Sequence, residues 1–509
     1  MRRLKLVTRV AGFTVLLLAA GCGTLPTNVE RTESHTLAGT ADTSLGKSVA
    51  VWADSHEGKS GFFPLPTGLD ALGARLALID RAERSIDTQY FLIKKDEAGL
   101  VFAGKLVEAA DRGVRVRFLL DDVFTTARDE ALLLLDRHPN IEIRLFNPVA
   151  RGGIGMVNFL KDFELANRRM HNKTFTVDNE VTIVGGRNIA EEYFQLKTDS
   201  EFVDFDMLAF GPVASGVSAS FDRYWNHPLS YPISSLKRDA GSYEALREEM
   251  LLAMNTTGRE TYLRSIETPL VKDLVDRKAM FYPADAEVIT DDPDKLLNEI
   301  SNDQKILVTR LATVIDRAES EVVVINPYFI PRETGLDFWA GVVNKGVEVT
   351  VLTNSLASTN HVAVHSSYAG YRKRLIEAGV ELYEARANAT SVNPDTGEKL
   401  DTLTLHTKLV AIDRRYLFVG SLNLDPRAID INTEMGVLID SAEMVGPMVE
   451  RFRARLPGFS YKLEQDEDGS LEWHGLVDGT PVVETSEPLA SGWLRFKAWF
   501  QKIAPESQL

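Results

Sequence analysis

The chain has 509 residues, enough for two to four domains at about 150 residues each. Its composition, 44% hydrophobic and 26% charged, is typical of a globular protein and excludes a disordered chain or a polytopic membrane protein. A net charge of −16 argues against non-specific binding to nucleic acid, because such binding depends on clustered lysine and arginine.

The N-terminus, MRRLKLVTRVAGFTVLLLAAGC, has a basic start, an apolar run from Val10 to Ala20 and small residues before Cys22. This pattern predicts a secretory signal peptide over 1–21, since the apolar run is too short for a stable membrane span. The Ala-Ala-Gly-Cys end resembles a bacterial lipobox, so we expect Cys22, the only cysteine, to be lipidated. The alternative is an ordinary signal peptide followed by an incidental cysteine.

Residues 22–60 are rich in Thr, Ser, Gly and Ala, and we expect them to form the lipidated cysteine and a tether. An α/β pattern begins at Leu69. Apolar spacing predicts a helix ending near Glu83, a strand over 85–93, a helix over 100–112 and a strand over 114–120. Alternating helices and strands imply a sheet covered by helices.

The second half of the chain repeats the first. IDRAE at 79–83 returns at 315–319, and DRGVRVRFLL at 111–120 returns as NKGVEVTVLT at 344–353. The two offsets, 236 and 233 residues, agree closely, so the repeat covers whole domains. The sequence therefore predicts two similar α/β domains, joined between about 235 and 290.

One reactive constellation occurs in both halves, 235 residues apart. Its members are His171, Lys173, Asp178 and Asn188 in the first copy, and His406, Lys408, Asp413 and Asn423 in the second. On a strand, a histidine and a lysine two residues apart share one face. We predict a phosphodiester-cleaving site in which one histidine attacks phosphorus and the other protonates the departing oxygen. The lysines and asparagines then hold the non-bridging oxygens.

The two aspartates of the pattern, Asp178 and Asp413, stand at an odd offset and at apparent turns. We therefore expect them to be structural, fixing the hairpin or a neighbouring backbone. A metal site is disfavoured because the residue two positions after each histidine is a lysine, whose ammonium has no lone pair. We expect no cofactor.

A nucleophilic histidine needs an acceptor at its second ring nitrogen. Aligning FVDFDML at 202–208 with INTEMGV at 431–437 through the shared methionine pairs Asp206 with Glu434. Each is a candidate to orient a histidine, including one across the domain boundary, and Asp204 is a second candidate in the first half. The alternative is a charged residue that ends an edge strand.

These residues resemble the signature of the phospholipase D superfamily over essentially the whole mature chain. Stretches such as RRMHNKTFTVDNEVTIVGGRNIAEEYF resemble the bacterial cardiolipin synthase C branch. The resemblance implies two phospholipase D-like domains, at 61–235 and 291–490, with 236–290 between them and an amphipathic helix and tail at 491–509. Each domain would be a mixed sheet flanked by helices, and a pseudo-two-fold axis would place one active site at their interface.

The resemblance also implies the reaction. A donor phospholipid gives a phosphatidyl-histidine, and phosphatidylglycerol then accepts the phosphatidyl group to form cardiolipin. The resemblance favours His171 as nucleophile and His406 as acid. Gly186 stands where the pattern often has a serine, as Ser421 does in the second half, so the first half lacks one hydroxyl donor.

The expected partners are membrane phospholipids and the membrane surface, reached through a lipid anchor in the cell envelope that faces the periplasm. Nucleic acid is not an expected partner, and a protein partner is left open. Two alternatives remain: a phospholipase D-type hydrolase, or less readily a nuclease, and a catalytically dead scaffold. The intact histidines, lysines and asparagines count against the scaffold.

Two other stretches suit a role near the site or the membrane. His361 and His365 fit either an acceptor site or a solvated loop. Near the C-terminus, Trp493, Phe496 and Phe500 follow helical spacing, with basic residues on other faces. Such a helix lies in a membrane interface or docks on the protein body.

Overall fold

The computed structural model describes residues 24–123, 125, 129–151, 167–196, 201–237, 241–297, 305–389, 402–502 and 506. The predicted signal peptide and Cys22 lie outside these ranges. Within them we find no helix with the length and hydropathy of a membrane-spanning segment.

The described strands are numbered in chain order. They are β1 Ser60–Leu65, β2 Ser85–Tyr90, β3 Arg115–Asp121, β4 Ile141–Phe146, β5 Thr174–Val177, β6 Val181–Gly185, β7 Glu201–Val203, β8 Asp206–Phe210, β9 Ser230–Pro232, β10 Tyr282–Thr290, β11 Glu321–Ile325, β12 Glu348–Asn354, β13 Glu381–Ala385, β14 Leu403–Leu405, β15 Leu409–Ile412, β16 Tyr416–Gly420, β17 Met435–Asp440, β18 Ser460–Gln465, β19 Leu471–Val477 and β20 Thr480–Glu484.

The described α-helices are numbered in the same way. They are α1 Ser44–Ala53, α2 Gly68–Arg81, α3 Glu97–Asp111, α4 Asp129–Asp136, α5 Pro212–Trp225, α6 Ile233–Leu236, α7 Tyr243–Asn255, α8 Thr257–Ile266, α9 Pro269–Val275, α10 Ile306–Ile315, α11 Arg332–Asn344, α12 Val362–Tyr368, α13 Arg372–Glu377, α14 Pro426–Asp430, α15 Ala442–Phe459 and α16 Gly492–Gln501.

The early helices and strands confirm the predictions from apolar spacing. Helix α2 begins after Thr67, whose hydroxyl accepts a hydrogen bond from the backbone N–H of Asp70. Its apolar side chains at Leu72, Leu76 and Ile79 are buried against the sheet, and each contributes about 1.5–3 kcal/mol. Strands β2 and β3 and helix α3 lie within two or three residues of the predicted bounds.

The first half forms a mixed sheet in the order β9-β4-β3-β2-β5-β6-β8-β1. Strands β2, β3 and β4 are parallel, because α3 and α4 carry the chain back between them. The remaining pairs are antiparallel. The helices flank this sheet, as the alternation of helices and strands in the sequence predicts.

The second half repeats this order and extends it, as β10-β17-β16-β15-β11-β12-β13-β18-β19-β20. Here β11, β12 and β13 are the parallel strands. Strand β1 pairs with β10 in antiparallel fashion, so the two sheets join edge to edge. The join relates the halves by a pseudo-two-fold axis.

The two halves also share an apolar core. One buried cluster takes side chains from both sheets, among them Phe62, Val184 and Met207 from the first half and Val419 and Val437 from the second. Each half has a core of its own as well. The shared cluster fixes the halves against each other and so sets the geometry of residues at their boundary.

The stretch expected to be a tether is ordered in its described part. Helix α1 lies within it, and Arg31 donates hydrogen bonds from its guanidinium to the carbonyls of Ser230 and Pro228. A polar composition therefore does not imply a solvated chain here, because the side chains find partners on the body. The stretch expected to connect the domains is similarly structured: it contains α7, α8, α9 and β10.

Candidate active site

The two histidines of the repeated motif lie just before strands and not within them. Strand β5 begins at Thr174 and β15 at Leu409. The preceding extended residues bond to the other half: the backbone N–H of His171 donates to the Thr433 carbonyl at 2.9 Å. Likewise, the N–H of His406 donates to the Val203 carbonyl at 2.8 Å. Each motif histidine therefore forms a backbone hydrogen bond to the other half, just before the chain enters the sheet of its own half.

The residue before each histidine is held by a side chain at the end of a parallel strand. The N–H of Met170 donates to Asp121 Oδ2 at 3.0 Å. The N–H of Leu405 donates to Asn354 Oδ1 at 2.9 Å. These two anchors occupy equivalent ends of β3 and β12, and nothing in the local sequence indicated them.

The ring of His171 faces a carboxylate from the other half. Its Nδ1 lies 2.9 Å from both carboxylate oxygens of Glu434. The Ser421 hydroxyl donates to the same carboxylate. The backbone N–H of Glu434 donates to Asp291, which also pairs with Lys295 at 2.7 Å. Burial raises the pKa of Glu434 to about 7, against the opposing effect of Lys173.

The ring of His406 faces Asp204 across the same boundary. Its Nδ1 lies 2.5 Å from Asp204 Oδ2. The ring stacks on Phe202, with centroids 5.3 Å apart, and meets the edge of Tyr193 at 5.1 Å. Burial tends to raise the pKa of Asp204, but its interactions with His406 and Lys408 outweigh burial and hold the pKa below its ordinary value.

Asp206, expected to orient a histidine, is wrong for that role. Its buried carboxylate forms an ion pair with Arg75 at 2.9 Å and lies 3.6 Å from Arg187. The guanidinium of Arg75 also donates to the Tyr90 hydroxyl at 2.9 Å. Asp206 therefore belongs to an internal charge network of the first half.

The error comes from aligning the halves through their methionines. In the β-ladders Gly185 pairs with Asp206, whereas the equivalent Gly420 pairs with Gly436. Asp206 is therefore equivalent to Gly436. Two residues earlier in each strand, Asp204 is equivalent to Glu434. The loop after Gly185 is longer than the loop after Gly420, which hides this equivalence in the sequence. Strand register reveals it.

Both motif lysines are buried beside the histidines. Lys173 Nζ donates to the His171 carbonyl at 2.6 Å. Lys408 Nζ donates to the His406 carbonyl and lies 2.9 Å from that ring's Nδ1. Burial lowers the pKa of Lys173 to about 7 and that of Lys408 to about 8. Burying two cations costs free energy, and a bound anion would offset that cost. The two lysines therefore suit an anion-binding site.

The two histidines are neutral at rest. Burial and then the charges of Lys173 and Lys408 hold the pKa of His171 well below its ordinary range. Burial and Lys408 lower the pKa of His406 to about 3, although Asp204 acts in the opposite direction. A neutral ring that donates from Nδ1 to a carboxylate carries its lone pair on Nε2. Each ring is thus prepared either to attack or to accept a proton.

Asn188 and Asn423 follow β6 and β16 and are buried at equivalent places. Asn188 Nδ2 donates to the Tyr193 hydroxyl at 3.0 Å. Among the described residues, the Oδ1 atom of each asparagine has no hydrogen-bond partner. An Oδ1 atom is an acceptor and cannot bind a phosphate oxygen, so a non-bridging oxygen would be held by the Nδ2–H groups of these amides.

Asp178 and Asp413 contact backbone rather than the reactive groups. The Asp178 carboxylate accepts from the N–H groups of residues 83–85. The Asp413 carboxylate accepts from those of residues 319–321. Both residues have left-handed backbone, with φ of 52° in each, at the hairpin that follows the motif strand. They join that hairpin to the start of the neighbouring strand.

Gly186 and Ser421 differ for a steric reason. A Cβ atom at Gly186 would lie 2.2 Å from Asp204 Oδ1, so the carboxylate occupies the space that a serine side chain would need. In the second half, Ser421 instead donates its hydroxyl to the longer Glu434 side chain. The first half therefore lacks the serine hydroxyl because the Asp204 carboxylate, which contacts His406, occupies the space that a serine side chain would need.

The two histidines proposed for an acceptor site have different surroundings. His365 is buried, and its Nε2 accepts from Arg372 at 2.9 Å. His361 is exposed and meets the edge of the Tyr328 ring at 5.4 Å. Of these two histidines, only His361 is therefore accessible.

The two halves of this site match a described family. The family described as cardiolipin synthase, PLD-like domain, matches residues 76–225 and 311–456. Cardiolipin synthase C of Escherichia coli strain K12 is 36% identical over 466 residues, which cover 91% of this chain and 98% of that protein. An uncharacterized protein of Helicobacter pylori is 32% identical and covers 92% of this chain and 93% of its own length.

The fold also matches a solved structure. Phosphatidylserine synthase from Haemophilus influenzae Rd KW20 superposes with a TM-score of 0.54 at 14% sequence identity. The superposition covers 82% of this chain and 92% of the other. At that identity the match shows a shared fold alone.

Proposed function

This chain belongs to the family of cardiolipin synthases with PLD-like domains, and on that premise we propose that it is a phosphatidyltransferase that forms cardiolipin. It transfers a phosphatidyl group to phosphatidylglycerol through a phosphohistidine intermediate. The observation that carries the proposal is the pair of crossed dyads, His171 with Glu434 and His406 with Asp204, beside two buried lysines.

In the first step, Nε2 of His171 attacks the phosphorus of a donor phospholipid. When the bound phosphodiester offsets the lysine charges, His406 takes up a proton on Nε2. It gives that proton to the head-group oxygen as the bond between phosphorus and this oxygen breaks. Glu434 holds the Nδ1 proton and offsets the positive charge that the His171 ring gains. The product of this step is a phosphatidyl-histidine and a free head-group alcohol.

In the second step, a hydroxyl of phosphatidylglycerol attacks the same phosphorus. His406 accepts the hydroxyl proton, the phosphorus–nitrogen bond breaks and cardiolipin leaves. Two in-line displacements give net retention at phosphorus. The same histidine serves as acid and then as base, which restores the enzyme.

The charges favour His406 as the proton-transfer group. The pKa of Asp204 is held below its ordinary value, so its carboxylate is ionised and stabilises an imidazolium at His406. Lys408 and Lys173 act against that imidazolium at rest. A bound phosphodiester neutralises them, which raises the pKa of His406 when the substrate is in place. Lys173, Lys408, Asn188 and Asn423 hold its non-bridging oxygens.

Burial of the site favours transfer to an alcohol over hydrolysis. His171 and His406 are only 7% and 6% exposed. An intermediate formed there is shielded from bulk water until a lipid acceptor enters. Water as acceptor would give phosphatidic acid instead.

The proposed cellular location of the protein rests on its lipid substrates and on the sequence around Cys22. We propose that Cys22 carries a lipid that anchors the chain in the cell envelope, facing the periplasm. The acidic surface is not expected to bind nucleic acid. Replacement of Cys22 by alanine should release the protein from the membrane fraction and abolish incorporation of labelled fatty acid.

The function is tested in cells that lack other cardiolipin synthases. We expect cardiolipin from the wild-type chain and none from His171→Ala or His406→Ala. The surface variant His35→Ala serves as the control and should keep full activity. Phosphatidic acid without cardiolipin from the wild type would identify a hydrolase. Substantial cardiolipin from His171→Ala would refute the assignment of His171 as the nucleophile.

A further inference from the structure

The C-terminal helix α16 is docked on the second half by one side only. Leu494 and Ala498 pack against Val362 of α12 and against Leu356. Ala498 is buried and Leu494 is half-buried. The two alternatives for this helix, docking on the body and contact with a membrane, therefore use different faces and are compatible.

The opposite side of α16 presents aromatic rings to solvent. Trp493 is 73% exposed, Phe496 51%, Trp499 65% and Phe500 58%. At about 100° per residue these four positions lie roughly opposite the docked positions. The rings also contact one another, with Trp493 and Phe496 centroids 5.6 Å apart and Phe496 and Trp499 centroids 5.9 Å apart. We call these four side chains the aromatic face.

Cations border the aromatic face on both sides. Arg495 and Lys502 lie along one edge and Lys497 along the other, and residues 492–502 contain no acidic side chain. This local charge is opposite in sign to the whole chain, whose net charge is −16. A basic, aromatic strip on an acidic protein is suited to an anionic partner.

Residues on both sides of the helix contact the body of the protein. Before it, Glu487 forms an ion pair with Arg372 at 2.6 Å. After it, the Glu506 carboxylate accepts from the hydroxyl groups of Ser367 and Tyr371. These contacts and the packing of Leu494 and Ala498 place the helix against the body, with the aromatic face outward.

Helix α12, on which α16 docks, begins after His361, whose ring meets the edge of the Tyr328 ring. His361 is one of the two histidines considered for an acceptor site.

We propose that the aromatic face of α16 is a docking surface for an anionic phospholipid bilayer, separate from any N-terminal lipid anchor. Aromatic side chains with flanking cations bind at the headgroup boundary, where the rings meet acyl carbon and the cations meet phosphate. The cations at both edges favour a bilayer with anionic headgroups, since such a helix gains from buried apolar area and from attraction to anionic lipid together. The inference rests on the proposed function, because a phosphatidyltransferase must take both lipids from a bilayer.

The test compares two forms of the full chain that carry Cys22→Ala. One is otherwise unchanged, and the other also carries Trp493→Ser, Phe496→Ser, Trp499→Ser and Phe500→Ser. A matched control instead carries Val51→Ser, Leu252→Ser and Met280→Ser, which remove exposed apolar side chains elsewhere. Binding is measured by flotation with vesicles of phosphatidylethanolamine and phosphatidylglycerol, and with vesicles of phosphatidylcholine alone.

We expect the aromatic-face variant to bind the anionic vesicles at least about tenfold more weakly, which corresponds to about 1.4 kcal/mol. The control should bind like the parent, and phosphatidylcholine should bind the parent less well. Activity on dispersed short-chain phosphatidylglycerol should be unchanged in all three forms, because none of the substitutions touches the site.

Equal vesicle binding by the parent and the aromatic-face variant would overturn the inference. So would a change in self-association, seen by gel filtration, without a change in vesicle binding, because the face would then contact a second copy. A parent that binds vesicles through this face but forms no cardiolipin would leave the inference standing and refute the proposed function.

Discussion

Nδ1 of His406 and Oδ2 of Asp204 lie 2.5 Å apart, although 202 residues separate them and they belong to different halves. The reverse relation joins His171 to Glu434, over 263 residues. Each half supplies the ring of one dyad and the carboxylate of the other. Neither half contains a complete dyad, so each dyad forms only when the two halves are packed together.

The first prediction concerns Asp204. Replacement by asparagine removes the carboxylate that fixes the tautomer of His406 and stabilises its imidazolium. We expect Asp204→Asn to lower kcat by about 10²- to 10⁴-fold with little change in thermal stability. Cardiolipin formation on short-chain substrate and the melting temperature measure the two effects.

Asp206→Asn is the matched control for that experiment. It leaves Arg75 buried without its ionic partner, a change that typically costs 3–5 kcal/mol. The folded fraction should keep most of its specific activity while the melting temperature falls. The reverse pattern, with kcat lost in Asp206→Asn and kept in Asp204→Asn, would show that Asp206 and not Asp204 is the functional equivalent of Glu434.

The second prediction concerns Gly186. A serine there matches the second half in sequence but places its Cβ against the Asp204 carboxylate. We expect Gly186→Ser to displace Asp204 from His406 and to lower kcat by at least about tenfold. Ser421→Gly, which removes a donor to Glu434 without a clash, is the comparison variant. Improved activity of Gly186→Ser would contradict the steric account.

The third prediction is a pH profile whose basic limb comes from the lysines. Burial lowers the pKa of Lys173 to about 7 and of Lys408 to about 8, so kcat/KM should fall as the pH rises through these values. A bound phosphodiester stabilises both ammonium groups, so the basic limb of kcat should lie at higher pH. Coincident basic limbs for the two parameters would argue against lysine contacts to phosphate.

The fourth prediction separates Asp413 from the chemistry. Asp413→Ala removes the acceptor of three backbone N–H groups and should destabilise the fold by about 1–3 kcal/mol, with kcat of the folded enzyme nearly unchanged. Asp413→Asn keeps a residue tolerant of positive φ and should lose less. A large fall in kcat in either variant would place Asp413 within the reactive site.

The stability loss in Asp413→Ala should also depend on pH. Burial acts to raise the pKa of Asp413, but its hydrogen bonds from backbone outweigh this and hold the pKa below its ordinary value. A carboxylate with a lowered pKa in the folded state adds stability above its unfolded pKa and loses it as pH falls. The difference between wild type and Asp413→Ala should therefore shrink below about pH 4.

Much of the fold could be predicted from the sequence, because helices, strands and repeated domains depend on the spacing of residues along the chain. Apolar spacing predicts α2, α3, β2 and β3, and the repeated phrases predict two similar domains. The segment before α2 was less predictable. Its polar composition suggests a solvated tether, whereas Arg31 and helix α1 bind the body through contacts with residues far away in the chain.

By itself, the sequence determined that one set of histidine, lysine and asparagine residues occurs twice and predicted it to be reactive, because identical residue types at identical spacing carry that information locally. Only the tertiary structure decided which carboxylate serves which histidine. That choice depends on strand register and on backbone bonds between the halves, and a longer loop after Gly185 shifts Asp204 out of apparent alignment with Glu434. The structure also decided which face of α16 is buried, since two faces of an amphipathic helix are distinguished only by what packs against them.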